Sequence, residues 1–182
     1  MKKLLITLAF LLLLVPFPAH AHPHLFITPA VSFIQDKGAI KAVRISWIWD
    51  EFWSEEVMFD CDLDGNGSLS VSEIKLVKKD FFDGVQDFNY FFMMKSDGKK
   101  IKFGAAKNFT VKTADGNRLI YEFTLESSNP VIPKNKLELF FFDKTIYTAF
   151  EESIEIVGGK HPLRKITFEP YSDYGVKMTL SR

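Results

Sequence analysis

Short runs of Phe, Val, Ile and Tyr at period two, parted by Asp-Gly-type turns, predict a mainly β chain with a helical insert (α+β). A change of apolar period between Asp50 and about Phe88 marks that insert, so the fold class is a β-sandwich-like domain carrying a single EF-hand-like helix-loop-helix.

Taken in order, the chain starts with Lys2 and Lys3, an apolar run from Leu4 to Val15, and Ala19-His20-Ala21. These are the parts of a secretory signal peptide, residues 1–21, cleaved after Ala21. The run is shorter than the roughly 20 residues that cross a bilayer, so the expectation is a periplasmic protein with no membrane anchor after cleavage. Residues 22–182 then form one β-rich domain. Without Lys2 and Lys3 the charge balance is slightly acidic, and no basic stripe favours nucleic acid. The lone cysteine, Cys61, has no disulfide partner and reads as a small buried apolar residue.

Val31 to Ile34 and Ala39 to Trp49 flank the turn Asp36-Lys37-Gly38, and Val43, Ile45, Trp47 and Trp49 share the inward face of the second strand. Asp50, or equally Ser54, caps a helix running to about Cys61. In the second half of the insert Ile74, Val77, Phe81, Val85 and Phe88 form the apolar stripe of an amphipathic helix. Two further hairpins are expected around Asp97-Gly98, pairing Met93–Lys95 with Ile101–Phe103, and around Asp115-Gly116-Asn117, pairing Phe109–Lys112 with Leu119–Leu125. Leu137–Phe142, Ser153–Val157, Lys165–Phe168 and Val176–Leu180 complete the strands.

Between the two helical halves, Asp62 to Glu73 fits every fixed position of the twelve-residue calcium loop. Asp62, Asp64 and Asn66 turn oxygens inward, Gly67 permits the sharp turn, and Ser68 offers its carbonyl. Ser70 acts through a water, Glu73 supplies a bidentate carboxylate, and Leu69 faces the core. One loop without a partner loop suits a structural Ca²⁺ site of weak affinity, roughly 10⁻⁴ to 10⁻³ M.

Cleavage after Ala21 exposes His22-Pro23-His24. An α-amine and ring nitrogen of His22, with the imidazole of His24, suit Zn²⁺, Ni²⁺, Co²⁺ or Cu²⁺. Pro23 has no amide proton, which rules out the square-planar amino-terminal site. Asp50, Glu51 and His161 are possible additional ligands from the fold, while His161 alone, between Gly158-Gly159-Lys160 and Pro162, reads as a turn residue.

The order of a signal peptide, His22-Pro23-His24 with Phe26-Ile27, Trp47-x-Trp49-Asp50-Glu51-Phe52, the calcium-type loop and a β-rich half resembles a bacterial periplasmic family of unknown function, domain of unknown function family 1007. Members of that family carry the description of periplasmic or substrate-binding component of an uncharacterised ABC-type transport system. The resemblance implies an association with transporters of nickel, cobalt or zinc, and so a membrane metal transporter as partner. The chain is too short and too β-rich for the two-lobed substrate-binding fold.

Three functions follow as expectations. The first is a periplasmic metal-binding accessory protein, not an enzyme, with a structural calcium loop. The second is an N-terminal-histidine copper protein or oxidative enzyme. The third is a calcium-stiffened protein-recognition domain. No serine-nucleophile motif, phosphate loop or zinc-protease helix suggests other catalysis.

Overall fold

The computed structural model describes residues 24–114, 117–145, 147–151, 155–156, 163 and 165–182. The signal segment, His22, His161 and the turn Asp115-Gly116 lie outside the described residues.

Two sheets enclose the core. The first contains β1 Leu25–Asp36, β2 Ala39–Trp49, β5 Lys107–Thr113, β6 Leu119–Val131, β8 Thr148–Phe150 and β9 Glu155–Ile156. Its order is β5-β6-β2-β1-β8, with β9 also paired to β1. The second contains β3 Phe92–Ser96, β4 Lys99–Lys100, β7 Lys136–Phe141, β10 Lys165–Tyr171 and β11 Gly175–Ser181, in the order β10-β11-β7-β3-β4. Buried residues of both sheets and of the insert belong to one apolar cluster, so the mainly β architecture with a helical insert is the observed one.

The β1–β2 hairpin shows why the pattern reads so clearly. Lys37 and Gly38 both take positive φ, the requirement of a tight hairpin turn, and alternate residues of β2 then fall on one side. Val43, Ile45, Trp47 and Trp49 are all buried, while Arg44 is exposed. Edge-to-face ring contacts fill this layer: Trp47 meets Trp49 at 87° and Phe123 at 75°.

The insert consists of α1, Glu51–Cys61, and α2, Val71–Val77, followed by a π-turn, Lys78–Phe82, and a 3₁₀ stretch, Asp83–Phe91. Here the uniform stripe expected through Phe81 and Phe88 is corrected. The π-turn lets Asp83 N–H reach back to Lys78 O, which adds one residue to the turn and advances the register. Phe82 therefore takes the central position, ringed by Phe109 at 4.3 Å, Phe123 at 4.9 Å and Trp47 at 5.9 Å between centroids. Phe81 is only partly buried, against Trp53 of α1, and Phe88 is 48% exposed. A left-handed triplet, Asn89-Tyr90-Phe91, ends the insert.

A second correction concerns Ile101–Phe103. The turn at Asp97-Gly98 returns only as the two-residue β4, because Phe103 leaves β3 and bridges to Ser127 in the other sheet. Strand β8, unannounced by any long apolar run, pairs in parallel with β1, Leu25 opposite Thr148 and Ile27 opposite Phe150. Of the expected strand Ser153–Val157, only Glu155–Ile156 lies among the described residues.

Candidate metal centres

Helix α1 ends where Asp62 N–H bonds to Met58 O at 2.9 Å, and the chain then winds back on itself. Gly65 and Gly67 take φ of 66° and 79°, conformations that a side chain would strain. The Asp62 carboxylate organises the turn, accepting Asn66 N–H at 3.2 Å and Gly67 N–H at 2.8 Å, while Asp64 accepts Asn66 N–H at 3.1 Å.

The exit of the loop is tied to its entrance. Ser70 caps α2 by accepting Glu73 N–H, and Glu73 returns one carboxylate oxygen to Ser70 N–H at 2.7 Å, a capping box. Its other oxygen accepts Leu63 N–H at 2.8 Å, ten residues back. The nearby Ser70 hydroxyl foremost, then the backbone N–H groups of Ser70 and Leu63, hold the Glu73 carboxyl below its ordinary value. One ligand oxygen from each of Asp62, Asp64 and Glu73 lies within 4.8 Å of the others.

Does this donor set fit a hard divalent cation? Three carboxylates converge, and an ionised carboxylate offers about four lone-pair sites, so oxygens already accepting one N–H keep capacity for an ion. Two of the expected ligands are otherwise engaged. Asn66 Oδ1 accepts both Ser68 N–H at 2.9 Å and the Ser68 hydroxyl at 2.5 Å, and Ser70 Oγ serves the helix cap and faces Ser72 Oγ at 3.0 Å. Asn66 has to rotate to become a direct ligand. Leu69 is partly buried against the core, as position eight of such a loop requires.

The second candidate centre sits at the start of β1. His24 N–H bonds to Tyr147 O at 2.9 Å, and the two rings lie 5.7 Å apart. A recess of about 420 Å³ is lined by His24, Asp50, Glu51, Arg118 and Glu151 among others. Within it the Asp50 carboxylate is structural, accepting Trp53 N–H at 2.8 Å and Phe26 N–H at 2.7 Å, which caps α1 and pins it to β1. Ser54 does not cap. It is buried, gives its hydroxyl proton to Asp50 O and accepts Leu119 N–H at 2.9 Å.

Among the described residues, the close trio of metal-ligating groups is Asp62, Asp64 and Glu73, and His24, Asp50 and Glu51 share the recess without forming such a trio. Arg118 and Glu151 are not legible in the sequence as part of this recess, since they come from distant segments with no motif. Cys61 is buried in the core, and burial pushes its thiol up, away from the reactive thiolate.

A family model described as "Protein of unknown function (DUF1007)" matches residues 7–166. The chain belongs to the DUF1007 family. A curated relative of this DUF1007 chain, "Uncharacterized 15.5 kDa protein in trpE 3'region" from Spirochaeta aurantia, is 28% identical over 92 residues. That match covers 50% of the present chain and 65% of the relative, so the chain spans a little under two thirds of the relative's length. No solved structure matches this DUF1007 chain. Among the described residues, no helix is long and apolar enough to cross a membrane.

Proposed function

We propose that this protein is an exported, non-enzymatic cation-binding accessory domain whose loop from Asp62 to Glu73 holds a structural Ca²⁺. The supporting observation is the convergence of Asp62, Asp64 and Glu73 oxygens within 4.8 Å in a loop closed from exit to entrance by Glu73 itself. A bound ion would join the end of α1 to the first turn of α2, stiffening the insert against the sheets it covers. The test is thermal melting of the processed chain in calcium and in chelator, for the parent and Glu73→Gln. Calcium-dependent stabilisation that is equal in both sinks the reading.

A second reading adds a transition-metal site at the N-terminus, serving a membrane transporter of nickel, cobalt or zinc from the periplasm. His24 supports it by lining one recess with Glu51 and Glu151, imidazole beside carboxylates at the end that signal cleavage would expose. His22, through its amine and ring, would complete the donor set. Copper, nickel and zinc binding are to be compared for the processed chain, a form with Gly added before His22, and His22→Ala. Undiminished binding by the Gly-extended form excludes the terminal amine as ligand, and turnover of peroxide or oxygen by a copper-loaded form would instead favour an oxidative enzyme.

A further inference from the structure

Helix α1 is apolar on two sides. Its inner side, Ser54, Val57 and Cys61, is buried, yet Phe52 and Phe59 stand 85% and 89% exposed, and Leu63 just beyond the helix is 75% exposed. Phe52 and Phe59 are two turns apart and share one outward stripe with Glu55 and Glu56 between them. Single exposed apolar residues are ordinary, but two nearly bare phenyl rings in line on one helix form a surface that water solvates poorly. Beside the stripe runs a groove of about 560 Å³ between α1 and the β5–β6 hairpin, lined by Glu55, Met58, Phe59, Asp62, Thr113 and Asn117. Met58 gives that groove an adaptable wall.

Charge selects what can lie there. From Asp50 to Asp64 the chain carries Asp50, Glu51, Glu55, Glu56, Asp60, Asp62 and Asp64, with no Lys, Arg or His. Among the described residues Glu51, Glu55, Glu56 and Asp60 take part in no ion pair. The last turn of α1 has no basic residue either, so the negative end of the helix dipole adds to the carboxylates. A second copy of the same face, or an anionic membrane, would meet like charge.

We infer that the outer face of α1 and the groove beside it dock an amphipathic segment of a partner protein, one that presents apolar side chains flanked by Lys and Arg. The phenyl rings and Met58 take the apolar anchors, and the carboxylates steer and orient the cationic flanks. This goes beyond the cation reading and does not require it. An ion in the loop would lower the charge near Asp62 and slow the steering, leaving the rings in place.

The test uses the processed chain and a fluorescein-labelled peptide, about 18 residues of Leu and Lys patterned as an amphipathic helix. A peptide with Glu in place of Lys is the control. The parent should bind the Leu–Lys peptide saturably and the Leu–Glu peptide not at all. Phe52→Ser with Phe59→Ser should weaken binding by about tenfold or more at an unchanged melting temperature. Glu55→Gln with Glu56→Gln should weaken it and flatten its salt dependence. Retained binding by Glu73→Gln in chelator would show that docking stands even where the calcium reading has failed. Equal binding by the double Phe variant would overturn the proposal, since attraction would then be charge alone. So would dimers that disappear in that variant, or capture by vesicles of anionic phospholipid, which would assign the face to a second copy or to a membrane.

Discussion

The loop from Asp62 to Glu73 and the recess around His24 are both lined with carboxylates, yet they are assembled in opposite ways. The loop draws its three converging oxygens from one continuous segment, closed by hydrogen bonds between its own residues. The recess gathers His24 from the start of β1, Asp50 and Glu51 from the start of α1, Arg118 from beside β6 and Glu151 from beyond β8. A local site needs only its own turn chemistry, whereas a gathered one exists only when the sheets are complete. The single helix α1 joins them, with the recess at its first turn and the loop at its last.

The largest expected effect strikes both regions at once. Phe82→Ala should cost about 3 to 5 kcal/mol, because the ring is fully enclosed between the insert and the first sheet. Phe81→Ala should cost about half as much in the same denaturant titration, since its ring is only partly buried. A larger loss at Phe81 than at Phe82 would return the register to an unbroken helix and deny the π-turn.

Calcium separates the regions. At saturating calcium the parent should melt on the order of 5 °C higher than in chelator, while Glu73→Gln and Asp62→Asn should show little of that shift. Asp50→Ala should behave in the complementary manner. Losing the cap and the bond from Phe26 N–H should cost about 1 to 2 kcal/mol in calcium and in chelator alike. A loss that appears only with bound metal would make Asp50 chiefly a ligand.

The smallest effect is in acid. Glu73 has its folded carboxyl held below the ordinary 4.5, so its contribution to stability is full above that value and is lost as pH falls through the lower folded value. In chelator, melting curves from about pH 6 to pH 3 should therefore fall more steeply for the parent than for Glu73→Gln. Parallel curves would mean that the folded Glu73 carboxyl is not held below its value in the unfolded chain.

What can be read in advance follows the same division. The β1–β2 hairpin and the loop announce themselves because a few neighbouring residues, Lys37-Gly38 or Asp62 with Gly67, determine the backbone there. The π-turn does not, since Phe81 and Phe82 are chemically identical neighbours and only the rings of the facing sheet decide between them. Phe52 and Phe59 are equally silent, because an apolar residue on a helix is expected to face inward. Arg118 and Glu151 reach the recess through strand pairing, which leaves no local mark.

The parallel pairing of β1 with β8 has a consequence for the order in which the molecule comes into being. Leu25 opens the first strand, but its neighbour Thr148 arrives only after six intervening strands and the helical insert. One flank of β1 can close early onto β2 through the tight turn, while its other flank waits for nearly the whole chain. Long-range pairings of this sort are slow, because the loop entropy is lost before the contacts form. During that interval the backbone of Leu25 to Ile27 remains an open template for a stray strand.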